Sequence, residues 1–386
     1  MSRPTRGAWT AAVAVGLFIA SGCGLSDDAD QRGEPSPQTL SEEPIGEPDA
    51  SPSSDGEGAP PSGDRGRLLD EVEHWLYLID VDLEPDTVDE IVESEHDLVV
   101  LDFIPSEQQN TDYPIGDVVD RLHEADHHKL VLAYIDIGQA EDYRVYWGED
   151  WRIGDPDWIV ANDPDGWEGN YPVAYWREEW QAIWLGEDGF VSQIVAAGFD
   201  GVYLDWVEAY SDENVATAAG RDFVDPVDEM ADWVTALAET GRDRNPEFLV
   251  VAQNAAELAA ENDGYRAVID ALAQEQVWFD GAADNDPPGD CPLPSTDELI
   301  DTEEFEATLS EACLQQYLDF PDSTLHVSSE EYLISLDAVR AAGLPVLTVD
   351  YAADPANVQF VLETSRARGF LPFVGTRLLD EYVPPR

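Results

Sequence analysis

Positive charge is scarce in this chain: 19 Lys and Arg stand against 83 Asp and Glu, for a formal net charge of -64 over 386 residues. Binding a phosphate backbone needs a basic face, so nucleic acid is excluded as a partner. Cysteine is scarcer still, at three, and no CxxC pair opens a zinc framework. There is no G-x-S-x-G elbow and no Gly-rich phosphate loop, which leaves serine-hydrolase and nucleotide chemistry without support. No motif calls for a cofactor or a metal. Apolar runs are short, and the longest, near the start, is too short for a membrane span. The apolar content is an ordinary 43%, enough for a core and too much for disorder throughout. Two readings of the acidity compete. One is the solvated surface of a salt-adapted, halophilic protein; the other is long-range steering of a cationic substrate.

The first 23 residues have the layout of an export signal: Arg3 and Arg6, an apolar run from Ala8 to Ala20, then Ala20-Ser-Gly-Cys23. The small residues before Cys23 resemble the lipobox of bacterial lipoproteins, with Ala20 where that motif usually has Leu. Cys23 is therefore expected to carry lipid. The protein is then exported and anchored to the outer face of the cytoplasmic membrane or cell envelope. Cys291 and Cys313 remain, and in an oxidising setting a disulfide is their default state. Residues 24–67 are rich in Ser, Pro, Gly, Asp and Glu and hold no aromatic residue. Such a stretch cannot bury a core and reads as a disordered tether. The folded domain is expected over 68–386.

Within it, strand-like and helix-like stretches alternate. The strands read as 74–81, 98–103, 130–136, 201–206, 248–254, 275–280, 346–351 and 370–374. Helical patterns fall at 87–94, 115–127, 178–197, 226–241, 255–273, 330–342 and 355–368. Eight alternations point to an α/β fold, a single (β/α)8 TIM barrel with long loops after strands three and six. An open doubly wound sheet would carry a Gly-rich turn after strand one, and Ile79-Asp-Val-Asp-Leu83 has none. The loop after strand three is dense in Trp and Tyr, which suits either a packed subcore or a sugar-stacking platform. The loop after strand six contains both Cys291 and Cys313.

The carboxyl ends of barrel strands form the active-site face. Gly198-Phe-Asp-Gly-Val-Tyr-Leu-Asp-Trp206 is a buried strand whose Asp205 stands where the chain leaves the core. Helix capping is the competing role for such an Asp. Other strands end at Asp80 and Asp82, Asp102, Asp136, Gln253-Asn254, Glu275 with Asp280, and Asp350-Tyr351. Carboxylates and amides in this number suit a polyhydroxylated substrate, and a carboxylate pair is the minimum for glycoside hydrolysis. An oxygen-ligand metal site would use similar residues. His123, His127 and His128 fall at the end of helix two, on the opposite face, where a solvated helix end is the simpler reading.

Several of these stretches resemble glycoside hydrolase family 114, the endo-α-1,4-polygalactosaminidases and their bacterial and archaeal relatives. They are Leu130-Val-Leu-Ala-Tyr-Ile-Asp-Ile-Gly-Gln-Ala-Glu-Asp-Tyr-Arg144, Tyr175-Trp176, Gly198–Trp206, Ala252-Gln-Asn254 and Pro345-Val-Leu-Thr-Val-Asp-Tyr351. The resemblance implies a barrel with an acidic pair at strands four and six, here Asp205 as nucleophile and Glu275 as general acid/base, with Asp280 the competitor on strand six. With the strand ends read as a sugar cleft, Asp102, Asp136, Tyr143, Trp176, Gln253, Asn254, Asp350 and Tyr351 are expected to line the subsites. The family usually has Ser at Asp136 and Glu at Gln139, which bears on the subsites. The implied activity is cleavage, with retention, within an α-linked galactosamine-containing polysaccharide, with a cationic galactosaminan as the candidate partner. A non-catalytic, cell-surface carbohydrate-binding lipoprotein on the same barrel is the alternative.

Overall fold

The computed structural model describes Arg65 and residues 68–81, 83–104, 111–281, 289–321 and 323–386. Cys23, Asp82 and the tether apart from Arg65 lie outside these residues. Eight strands form one parallel sheet: β1 (Trp75–Leu78), β2 (Leu98–Asp102), β3 (Leu130–Asp136), β6 (Gly201–Asp205), β7 (Leu249–Gln253), β8 (Ala271–Glu275), β9 (Val346–Tyr351) and β10 (Leu371–Gly375). Two short antiparallel strands, β4 (Gln139–Glu141) and β5 (Asn170–Pro172), sit in the loop after β3. The eight-stranded sheet curls into a nearly closed (β/α)8 barrel. At the seam between β1 and β10, Trp75 Nε1 donates to the Leu371 carbonyl at 3.0 Å, and the Trp75 and Phe373 rings lie 5.4 Å apart.

The strands read as apolar runs because both faces are covered, one by helices and one by the barrel interior. Alternate residues point inward, and the interior is filled by rings. Tyr77 lies 4.9 Å from Tyr203 and 6.1 Å from Tyr134. The outer layer includes α1 (Pro85–Glu93), α2 (Ile115–His123), α3 (Glu178–Leu185), α4 (Phe190–Ala196), α5 (Glu213–Asp222) and α6 (Pro226–Arg242). It continues with α7 (Ala256–Glu261), α8 (Asp263–Arg266), α11 (Ser329–Ala341) and α12 (Pro355–Arg368), while α9 (Glu303–Glu306) and α10 (Glu311–Asp319) belong to the excursion after β8. Short acidic and hydroxyl residues start several of them. Asp212 accepts from two first-turn N–H groups of α5, and Asp225, Ser328 and Asp354 cap α6, α11 and α12.

The largest departure from expectation is at β8. The helical pattern over 255–273 breaks into α7, α8 and then a strand, because Ala271-Leu-Ala-Gln is made of good helix formers yet is fully buried between β7 and β9. The expected strand at 275–280 therefore shifts back, and Glu275 becomes the last residue of its strand rather than the first. The helix expected over 178–197 is two, α3 and α4, parted at Gly186 to Gly189. Of the rings in the loop after β3, Trp158 and Tyr175 are buried, Tyr146, Trp147, Trp151, Tyr171 and Trp176 pack half-buried against the core, and Trp167 is exposed. Cys291 and Cys313 are disulfide-bonded inside a satellite core with Phe305, Tyr317 and Leu325. Arg65 already belongs to the folded body, since it pairs with the buried Asp270 at 3.2 Å.

Candidate active site

Asp205, Gln253 and Glu275 are the last residues of three adjacent strands, β6, β7 and β8. In each case the next residue is left-handed: Trp206 has φ 54°, Asn254 has φ 65° and Gln276 has φ 56°. That conformation is costly for a side chain as large as Trp. It turns the chain away from the strand directly after the polar side chain. Backbone strain thus gathers at one spot on the barrel rim.

One amide nitrogen joins the two carboxylates. Gln253 Nε2 donates to Asp205 Oδ1 at 2.7 Å and to Glu275 Oε2 at 2.8 Å. Taken as two sides of a triangle, 2.7 and 2.8 Å cap the separation of these oxygens at about 5.5 Å. Asp205 also accepts from the Trp206 N–H at 2.7 Å and the Tyr134 hydroxyl at 2.6 Å. The Tyr351 hydroxyl donates to Glu275 Oε1, and Asn254 Nδ2 approaches Oε2 at 3.5 Å. Gly281 makes room for Tyr351, because a Cβ there would lie 2.2 Å from its ring.

The two carboxyls differ in their surroundings. Burial, and then the charge of Asp205, pushes Glu275 up to about 7. Burial also raises Asp205, but donation from Tyr134, Trp206 and Gln253 opposes it. A third carboxylate, Glu208, sits in the turn after β6. Its Oε1 accepts from Asn254 Nδ2 at 2.6 Å, while its Oε2 is buried without a hydrogen-bond partner. Burial, then Asp205, holds Glu208 well above the usual carboxylate range.

A second polar cluster lies where β2 and β4 meet. Arg144 donates to Asp102 Oδ1 at 2.8 Å and grips Glu141 through two bonds of 2.9 and 3.0 Å. Asp102 Oδ2 accepts from the Asp80 N–H at 2.7 Å. Tyr143 donates to Glu141 at 2.7 Å.

The model of glycoside-hydrolase family GH114 matches residues 71–385. The chain belongs to this family. An uncharacterised protein of Deinococcus radiodurans is 34% identical over 290 residues, covering 75% of this chain and 76% of its own length. One from Methanocaldococcus jannaschii is 29% identical over 322 residues, 80% of this chain and 77% of its own. Among solved structures, Aspergillus fumigatus Ega3 in complex with galactosamine aligns with a TM-score of 0.51 at 14% identity, over 86% of this chain and 99% of that one. The glycoside hydrolase domain of PelA from Pseudomonas aeruginosa gives 0.51 at 18%, over 81% and 98%. At such identities the two structures speak for the fold.

Of the residues expected around the sugar, the GH114 barrel brings Asp205, Glu275, Gln253, Asn254 and Tyr351 into one hydrogen-bonded group. Asp136 is beside them, paired in register with Asp205, but it accepts from the Gly138 and Gln139 N–H groups and so closes its own turn. Gln139 binds Asp163 and Asn170 and braces the same loop. Asp102 and Tyr143 belong to the Arg144 cluster. Asp350 is fully buried and takes the N–H groups of Trp278 and Phe279 at 2.6 and 2.9 Å. Trp176 donates to Asp222 at 2.8 Å. Asp280, the competitor of Glu275, is buried five residues past the strand end and binds Gln316 at 2.9 Å and Thr324 at 2.5 Å. The histidines go to separate partners: His123 to Asp200, His127 to Asp97, and His128 to a carbonyl.

Sequence reading did not single out Tyr134, Tyr203, Glu208, Glu141 or Arg144. The period of two could have found the tyrosines, since Tyr134 and Tyr203 each stand two residues before an inward-facing strand-end Asp. Glu208 and Glu141 carried no such signal, because each lies on a turn or short strand beyond the barrel strands.

Proposed function

We propose that this protein cleaves within an α-linked, galactosamine-containing polysaccharide with retention at the anomeric carbon. The observation that carries the reading is the Gln253 bridge, which keeps the two carboxylate oxygens within about 5.5 Å. Retaining glycosidases hold their carboxyls about 5–5.5 Å apart, whereas inverting ones leave about 6.5–9.5 Å for a water. Glu275, raised to about 7, keeps the proton it must give to the glycosidic oxygen. Asp205, with three donors, attacks C1 as the leaving group departs, and a covalent glycosyl–Asp205 ester forms. Glu275, now ionised, takes a proton from water; that water attacks C1 and frees Asp205. The galactosamine assignment is supported by family membership and by the chain's excess of acid, which suits a polymer of ammonium groups.

The test is product release from deacetylated and acetylated α-1,4-galactosaminan. The wild type should cut at least one of them, and Asp205→Asn and Glu275→Gln should each lose about 10³-fold or more while keeping their fold. A barrel that binds these polymers without cutting them contradicts the reading. Export and anchoring through Cys23 belong to the same proposal. Cys23→Ala should move the protein to the soluble fraction or leave its signal unprocessed, and unchanged fractionation and processing would argue against the anchor.

A further inference from the structure

A strand-end glutamine in a glycosidase cleft is expected to meet a sugar hydroxyl. Gln253 is instead 1% exposed, and its amide is engaged by the protein. Its Nε2 has two hydrogens, and they go to Asp205 Oδ1 at 2.7 Å and Glu275 Oε2 at 2.8 Å. Its Oε1 accepts from the Tyr203 hydroxyl at 2.5 Å. Tyr203 is fully buried in the ring stack of the barrel interior, 4.9 Å from Tyr77. Rotating the amide would therefore break three bonds at once, and no donor is left for a substrate.

We propose that Gln253 is a positioning residue of the catalytic pair: it fixes the separation and orientation of Asp205 and Glu275 and does not contact substrate. The proposal rests on Asp205 and Glu275 being the nucleophile and the acid/base. Two carboxylates sharing a buried site repel. Among the described residues no other side chain links them: without the bridge Asp205 keeps Tyr134 and Trp206, and Glu275 keeps Tyr351 and the 3.5 Å approach of Asn254. Each would also lose a donor that favours its charged form.

The test uses Gln253→Met in the full chain, a side chain of similar length without the amide. On whichever galactosaminan the wild type cuts, kcat should fall about 10²–10³-fold, as when one oriented donor is removed from developing charge. KM should stay within about twofold, the pattern of an interaction that substrate binding does not use. The acid limb of kcat/KM should move to higher pH, since Asp205 loses a donor. A substrate-free readout accompanies the kinetics: carboxyl ¹³C NMR titration, with the two signals identified by their loss in Asp205→Asn and Glu275→Gln. Both midpoints should rise in Gln253→Met. Tyr203→Phe, which frees Oε1 but keeps the ring stack, should shift them the same way by less, and it carries the test alone where Gln253→Met does not fold. A rise in KM with kcat retained, or midpoints that do not move, would overturn the proposal. Because the titration needs no substrate, midpoints that rise on a protein that cuts nothing would sink the hydrolase reading and leave the bridge standing.

Discussion

Glu275 carries a pH signature that a single substitution can remove. Its folded value, about 7, lies above the ordinary 4.5, because burial and the Asp205 charge disfavour the ionised form. A raised carboxyl contributes stability that is fully present below the unfolded value and is lost as pH climbs through the folded one. Wild type should therefore lose stability between about pH 4.5 and 7, while Glu275→Gln, which cannot ionise, should not. The melting temperature of the variant relative to wild type should rise by a few degrees across that window and level off above it. The same group sets the activity profile: kcat/KM should fall as pH rises through about 7, because the acid must hold its proton. The observed limbs belong to the Asp205–Glu275 pair rather than to either residue. A difference in melting temperature that is flat with pH would mean that Glu275 is not the buried, raised group.

At the scale of elements, the barrel was legible because buried parallel strands announce themselves as apolar runs such as Leu98-Val-Val-Leu101 and Val346-Leu-Thr-Val349. β8 was not, since Ala and Leu serve a helix and a buried strand equally well. The error did not hide Glu275, as the family pattern pointed to a strand-six acid independently of the strand's boundaries. Asp350 and Trp176 looked like sugar contacts for want of a way to see that backbone N–H groups and Asp222 already occupied them. The excursion after β8 yields a prediction of its own. Cys291 and Cys313, 22 residues apart, close a loop for which the chain-entropy account gives about 3 kcal/mol. Their neighbours form a cluster separate from the barrel core, so reduction should loosen this segment alone. Hydrogen exchange should speed up in α10 (Glu311–Asp319) and stay unchanged in the barrel strands. Barrel-wide loss of protection would show that the excursion is part of the central cooperative unit.

Over the whole molecule, charge dominates. With 83 acidic side chains against 19 Lys and Arg, several of the few cations are engaged in structure: Arg65 and Arg242 flank the buried Asp270, and Arg144 holds Asp102 and Glu141. The remaining acids repel one another, and salt relieves this, with a Debye length of about 3 Å at 1 M. The melting temperature should rise from low to molar salt, and a fall would contradict the salt-adapted reading of the surface. Capture of a cationic polymer should weaken over the same range, because the steering field is screened. Stability and substrate affinity are thus expected to respond to salt in opposite directions.

The central claim is that a carboxylate pair bridged by Gln253 performs glycoside hydrolysis by double displacement. It is tested most directly by following the anomeric protons of the new reducing end by NMR during the first minutes of cleavage of an α-1,4-galactosaminan. The account predicts that the α anomer forms first and drifts toward the equilibrium mixture. A β anomer formed first would mean single displacement, and the bridged pair would not be the catalytic one.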